Sequence, residues 1–248
     1  NVFPEVVVLL DKRLRFAWKE LGYDVNALKN NSALPNIAFG NWVGGDRDGH
    51  PLVSPEITET TLNRLRVNAF IIVKKELIRL AGKLSIYLDI EDLSPGFALH
   101  LNNLAQELNE EGAYILKEHG AEIFKAYVLL LLYKLPIDVT QEHDIELQNR
   151  ENSYTHSDQL ISDLNLLSDA LVHMGIKEVA LVDVGRCLRL VSVFGFHLAH
   201  LDIRQNSAYH EKALYQLVSA SINSKTADSV LKSYGQKQEF LNNELKVI

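Results

Sequence analysis

The sequence predicts a mainly α-helical, bundle-like body with one or a few β-strands. Apolar residues recur at helical spacing through most of the chain. Hydroxyl-proline start signals stand at Ser54-Pro55 and Ser94-Pro95. One stretch alone, from Ala199 to Gln205, alternates apolar and polar residues with the period of a strand.

Bulk properties set the frame. At 248 residues the chain is long enough for one large domain or two small ones. A composition 47% hydrophobic and 23% charged belongs to a folded, soluble protein rather than a disordered one. The formal charge of −7, from 25 basic and 32 acidic residues, works against nonspecific nucleic-acid binding, which needs a basic surface. A local pocket for a small anion stays open. The longest apolar run, Ala126 to Leu132, is far shorter than the roughly 20 residues of a membrane span and reads as a buried core helix. No basic n-region with an apolar h-region opens the sequence, and the lone Cys187 excludes an internal disulfide and fits a reducing, cytoplasmic setting. The apolar neighbours of Cys187 mark it as a small buried hydrophobe. The chain begins inside an apolar helical pattern and stops at Lys246-Val247-Ile248 without a closing signal, so we expect a piece of a longer protein.

Taken in order, the first helix carries Pro4 in its opening turn, then Val7, Leu10, Leu14 and Leu21, and ends at Gly22. Residues Asn26 to Pro51 lack helical period and form a long irregular segment; such segments are usually functional or disordered, and Trp42 and Phe39 argue for the functional reading. Ser54-Pro55-Glu56 starts a second helix through Leu62, Leu65, Phe70, Val73, Leu77 and Leu80. Ser94-Pro95 starts a third. A fourth runs from about Glu111 to Leu135, with Pro136 as its stop. The polar stretch from about 136 to 156 reads as an exposed linker between helices rather than a boundary between folding units. Ser157-Asp158 caps a helix through Leu160, Leu164, Leu167 and Leu171, ending near Gly175, and Lys177 to Val193 is a further helix. In the strand that follows, Ala199, Leu201 and Ile203 share one face, and His200, Asp202 and Arg204 share the other. Asn206 or Ser207 then caps a helix through Leu214 and Leu217.

Two polar clusters hold most of the functional information. In Gly44-Gly45-Asp46-Arg47-Asp48-Gly49 the glycines allow close backbone approach, and Arg47 between two carboxylates is placed to be held by them as a fixed fork. The alternative is a self-satisfied turn in which Asp46 and Asp48 accept their own backbone amides. A calcium loop fails because Gly44 and Pro55 occupy positions that require acids, and a P-loop fails because no Gly-Lys-Ser/Thr follows. Trp42 is either a core anchor or the wall of a pocket. In the second cluster, Arg204 at the end of a strand is the better site candidate, since anion-binding groups collect at strand ends facing a barrel mouth. His197 and His200, three apart in a strand, are expected on opposite faces and so unable to share one ion. His143, His156 and His173 read as surface residues.

These residues carry a family resemblance. Phe39-Gly-Asn-Trp-Val-Gly-Gly-Asp-Arg-Asp-Gly-His-Pro-Leu-Val-Ser-Pro-Glu resembles the F-x-S-W-M-G-G-D-R-D-G-N-P-x-V-T-P-E stretch of phosphoenolpyruvate carboxylases. Phe194-Gly-Phe-His-Leu-Ala-His-Leu-Asp-Ile-Arg-Gln-Asn-Ser is similar to that family's F-G-L-x-L-x-x-L-D-I-R-Q-x-S, and Tyr234 to Leu245 to its E-x-L-x-x-E-L helix. The resemblance implies that residues 1–248 are a single internal segment of a largely helical protein built around an eight-stranded barrel. It implies a parent enzyme, a carbon–carbon lyase, making oxaloacetate and phosphate from phosphoenolpyruvate and bicarbonate, an anaplerotic step feeding the tricarboxylic acid cycle. That parent is expected to be a cytoplasmic homotetramer using Mg²⁺ or Mn²⁺, with no nucleic-acid or membrane partner.

Carried onto this sequence, Arg204 is implied to contact substrate beside the metal, and Trp42 to line the pocket. Asp46, Arg47, Asp48 and Asp202 are implied to shape that pocket or bind substrate. His50, Val43 and Asn41 depart from the family's Asn, Met and Ser. The family's T-A-H-P-T-E and F-H-G-R-G-G motifs and its acidic metal ligands are absent, so no metal ligand is expected in this segment and the isolated chain is expected to be inactive. The competing expectation is a noncatalytic helical module that binds a phosphorylated metabolite or a partner protein.

Overall fold

A proline within the opening turn and a glycine with φ +79° just beyond the end delimit the first helix, α1, Val2–Glu20. The computed structural model describes residues 2–28, 31–48, 52–88, 93–148 and 150–221. Gly49-His50-Pro51 and the Tyr234–Leu245 tail resemblance lie outside them. The remaining helices are α2 (Pro55–Lys83), α3 (Pro95–Glu107), α4 (Asn109–His119), α5 (Ile123–Tyr133), α6 (Ser157–His173), α7 (Lys177–Val179), α8 (Gly185–Phe194) and α9 (Ser207–Ser221). Two short strands, β1 (Gly40–Asn41) and β2 (His200–Leu201), pair with each other. The protein is mainly helical, with one two-stranded sheet among the described residues.

The chain packs as two units. The first comprises Asn1–Asn41 and Glu59–His200; the second comprises Trp42–Thr58 and the described residues from Leu201 on. The core of the first unit is built from α2 to α8. Phe70, Leu77, Leu80, Phe124, Tyr127, Leu130, Leu131, Leu160, Leu164, Leu167 and Leu171 are wholly buried there. The apolar run of α5 is thus the centre of this core, and no helix among the described residues is long and apolar enough to cross a membrane. A smaller cluster joins Val7 of α1 to Ile72, Leu190, Val193 and Phe194, with Phe39 stacked on Phe194 at 5.4 Å. Cys187 is fully buried, and that burial pushes its thiol up to about 12.

Several elements differ from expectation, each for a local reason. The expected helix from Glu111 to Leu135 is two helices, because Glu122 leaves helical geometry (φ −108°, ψ 62°) after Gly120 and restarts the chain at Ile123. The start of α4 lies earlier than expected, at Asn109, which takes the left-handed conformation (φ +52°) that asparagine tolerates. The helix expected from Lys177 carries a π turn at Ala180–Val184 before α8. His156, not Ser157, caps α6, and its N–H donates to the Gln159 side chain at 3.1 Å. In α1 only Val7 of the expected apolar face is buried, while Leu10 is 53% exposed.

The segment 136–156 carries no helix among the described residues, but its ends are not exposed. Ile137, Val139 and Tyr154 are buried, and Ile137 pairs with Leu147 across an antiparallel bridge. Tyr154 is held by a polar network inside the first unit. Its hydroxyl donates to Asp163 Oδ2 at 2.5 Å, while His100 Nε2 lies 3.0 Å from Asp163 Oδ1. The Tyr127 hydroxyl donates to the Asp163 carbonyl at 3.0 Å. Burial beside that carboxylate pushes both phenols above their ordinary range.

Candidate functional site

The glycine-rich cluster folds as a tight turn inside the second unit. Gly44 takes φ +79°, which reverses the chain so that the amides of Gly45 and Asp46 both donate to the Trp42 carbonyl, at 2.8 and 3.0 Å. Asp46 then pairs with Arg204 in a parallel bridge. The Arg204 N–H donates to the Gly45 carbonyl at 3.0 Å, and the Arg47 N–H donates to the Arg204 carbonyl at 2.8 Å. Gly45 is needed for this approach, because a Cβ there would collide with the Asp202 carbonyl and crowd the Leu201 side chain.

The expected strand from Ala199 to Gln205 is therefore pared to β2 plus this one bridge. Its apolar face is not buried, since Ile203 is 56% exposed. Two irregularities explain the shortening. Leu198 sits at φ +65° with the Ala199 N–H donating to the His197 carbonyl, and the turn at Trp42–Asp46 offers no continuous partner edge. The same kink corrects the placement of the two histidines. The His197 and His200 rings are 5.0 Å apart rather than on opposite faces, because residues 197–199 turn instead of extending. Burial, and then the neighbouring His200, hold His197 below its ordinary value.

The backbone pairing carries three of the singled-out side chains to one place. The Arg204 guanidinium carbon lies 5.5 Å from the centroid of the Trp42 ring, and Arg204 Nη1 lies 3.6 Å from Asp46 Oδ2. Trp42 is 58% exposed, so it is not a core anchor; it presents an indole face to the cation. The ion pair is longer than a hydrogen bond, and the guanidinium donates no side-chain hydrogen bond among the described residues. Its fork is half-exposed, flanked by one carboxylate and one aromatic face, and available to a bidentate anion.

The other members are wired differently from expectation. Arg47 is not clamped by its flanking aspartates. Its Nη2 donates to Thr58 Oγ1 at 2.8 Å, and its Nε is buried without a hydrogen-bond partner. Asp46 accepts from the Asp48 amide at 3.3 Å, the self-satisfied turn that was the alternative reading, while the Asp48 side chain is exposed. Asp202 is exposed and contributes its backbone carbonyl against Gly45. Thr58 escaped the sequence reading. The one signal for it was its place four residues after the cap Ser54, in the first turn of α2. Among the described residues no group of three or more His, Cys, Asp or Glu converges as a metal site.

Comparison with known proteins places the chain in a family. A family model described as phosphoenolpyruvate carboxylase matches residues 2–247. The chain belongs to the phosphoenolpyruvate carboxylase family. It is 31% identical over 194 residues to the phosphoenolpyruvate carboxylase of Rhodopseudomonas palustris (strain BisA53), covering 77% of this chain and 20% of that protein. It is 32% identical over 183 residues to that of Xanthomonas oryzae pv. oryzae, covering 73% of this chain and 19% of that protein. With that of Thermosynechococcus vestitus it shares 32% identity over 192 residues, covering 72% of this chain and 18% of that protein. The chain spans about a fifth of the length of these curated relatives.

Proposed function

We propose that the full-length protein to which this chain belongs is a phosphoenolpyruvate carboxylase, joining phosphoenolpyruvate and bicarbonate to give oxaloacetate and phosphate. In this reading the chain contributes one wall of the active site, with Arg204 as the catalytic, substrate-contacting residue. The observation that carries the proposal is the Arg204 guanidinium poised at 5.5 Å over Trp42 and 3.6 Å from Asp46, with its donors unspent on hydrogen bonds to described residues. A planar fork held this way suits an anion with a carboxylate and a phosphate, because it grips two oxygens at once while Asp46 limits its swing. Trp42 supplies an apolar face for the substrate's methylene or for bicarbonate. Asp46, Arg47, Asp48 and Asp202 shape the turn that carries these two. Mg²⁺ or Mn²⁺ would be held by acids outside this segment and would stabilise developing negative charge on the enolate. We place the parent in the cytoplasm, as a homotetramer feeding the tricarboxylic acid cycle, without nucleic-acid or membrane partners.

The test is oxaloacetate formation by the full-length protein, read by coupling to malate dehydrogenase. Arg204→Gln removes charge-assisted hydrogen bonds worth on the order of 1.5–3 kcal/mol, so it should lower kcat/KM by about 10- to 150-fold. Unchanged kinetics would remove Arg204 from the site. The isolated chain should form no oxaloacetate, and measurable formation would show that the segment is a complete catalyst.

A further inference from the structure

Thr58 is 7% exposed, on the first turn of α2, and its single hydroxyl oxygen joins two parts of the Trp42–Asp48 turn. It donates to the Gly44 carbonyl at 2.7 Å and accepts from Arg47 Nη2 at 2.8 Å. The Ser54 carbonyl, which a helical threonine commonly engages, stands off at 3.3 Å. A hydroxyl has one proton, and the Gly44 carbonyl, at the shorter distance, is the stronger acceptor for it, with the Ser54 carbonyl the weaker one. Gly44 is the φ +79° residue that reverses the turn, and Arg47 and Gly45 are the residues whose backbone groups grip Arg204 at 2.8 and 3.0 Å. Thr58 thus fixes the turn at its reversal point and at the arginine next to the bridge. Arg47 Nε is buried without a partner, so the Thr58 hydroxyl alone, among the described residues, orients that guanidinium by hydrogen bonding.

We propose that Thr58 is a positioning residue for substrate binding: through Gly44 and Arg47 it sets the turn that holds Arg204 against Trp42. It touches no substrate itself. Replacing the hydroxyl with a methyl leaves the Gly44 carbonyl and the Arg47 donor unpaired, and the turn then relaxes to recover partners. Arg204 and Trp42 are carried with it.

The inference rests on the reading of Arg204 as the substrate-facing cation, and the experiment separates the two. In the full-length protein, Thr58→Val should raise KM for phosphoenolpyruvate about tenfold or more, the loss expected when a hydrogen bond to a charged group goes. Thr58→Ser keeps the hydroxyl and should stay within about threefold of wild type. Because Thr58 acts in part through Arg47, Arg47→Met should also raise KM, and the double variant should fall clearly short of the two single losses combined, the remainder being the lost bond to Gly44. A role limited to starting α2 would instead lower the yield of active protein and leave KM alone. Wild-type KM in Thr58→Val, equal impairment in Thr58→Ser, or full additivity in the double variant would each overturn the proposal. Where Thr58→Val does not accumulate as folded protein by circular dichroism, Arg47→Met decides: a raised KM supports the latch and an unchanged one ends it. Unchanged kinetics in Arg204→Gln would sink the site reading itself. Impairment there with a normal Thr58→Val would remove only the positioning role.

Discussion

Neighbouring side chains on a turning backbone point in different directions, and that decides how the charges of this protein are paired. Arg47 stands between two aspartates in sequence, yet its guanidinium reaches Thr58 while Asp46 faces Arg204. The cluster itself was legible, because glycines, charges and an indole crowd into one irregular stretch. Its wiring was not, because partners 11 and 158 residues apart depend on which way the Gly44 reversal throws the chain. The same logic separates screened ion pairs from buried ones. Arg204 and Asp46 are 53% and 34% exposed, so their pair is screened, and Asp46→Ala should cost below about 1 kcal/mol of stability. Arg189 and Asp11 are each 7% exposed, joined at 2.8 and 3.2 Å, with a further bond from Arg189 to the Pro35 carbonyl. Asp11→Ala strands that buried guanidinium and should cost about 3–5 kcal/mol. Peptide-resolved hydrogen exchange on the full-length protein measures both, and equal losses at the two positions would refute the contrast.

At the scale of elements, proline-led starts and leucine spacing were enough to read the helices. Ser94 caps α3 by accepting from the Phe97 amide at 3.4 Å, and Leu160, Leu164, Leu167 and Leu171 line the buried face of α6 as their period demands. The breaks were hard to read: Gly120 ends α4 but keeps right-handed helical geometry and so reads as an interior glycine, and the π turn at Ala180–Val184 has no proline or glycine within it. The strand from Ala199 was over-read for a related reason: alternation describes a strand only where a partner edge exists to pair with it. Gly112 shows packing overruling propensity. In α4 it would ordinarily be improved by alanine, by about 1 kcal/mol of helix propensity. A Cβ there runs into the backbone of Ala105 on α3, which cannot rotate aside as a side chain would. Gly112→Ala should therefore destabilise, by about 1–3 kcal/mol net of the propensity gain, with exchange accelerated first in α3 and α4. A variant as stable as the parent would mean the two helices part without cost.

Across the whole molecule, acidification acts through groups that folding moves downward. A hydrogen bond from Arg186, aided by its charge, holds Glu5 below the ordinary 4.5, and Lys125 does the same for Glu122. Hydrogen bonds from the Thr140 hydroxyl and amide hold Asp138 below 3.8. His197 is displaced downward too, from 6.5, but for another cause: burial penalises its charged form and His200 repels it. In every case the unfolded chain binds the proton more readily than the folded one, so stability falls as pH falls. The carboxylate contribution is intact above the ordinary values of 4.5 and 3.8 and is lost as pH drops below them. The histidine contribution is intact above 6.5 and declines as pH falls from there toward the lowered folded value. Two separate losses are thus expected on acidification, a shallow one beginning near 6.5 and a second below about 4.5. The Glu5 side chain is 69% exposed, so solvent screens its share of the lower step. Hydrogen exchange of this segment, followed from pH 8 to 4 and corrected for the intrinsic rate, should show the first loss. His197→Gln should erase it and leave the lower one in place. Persistence of the upper step in that variant would assign it to a different titrating group and break the link between the kink at residues 197–199 and acid sensitivity.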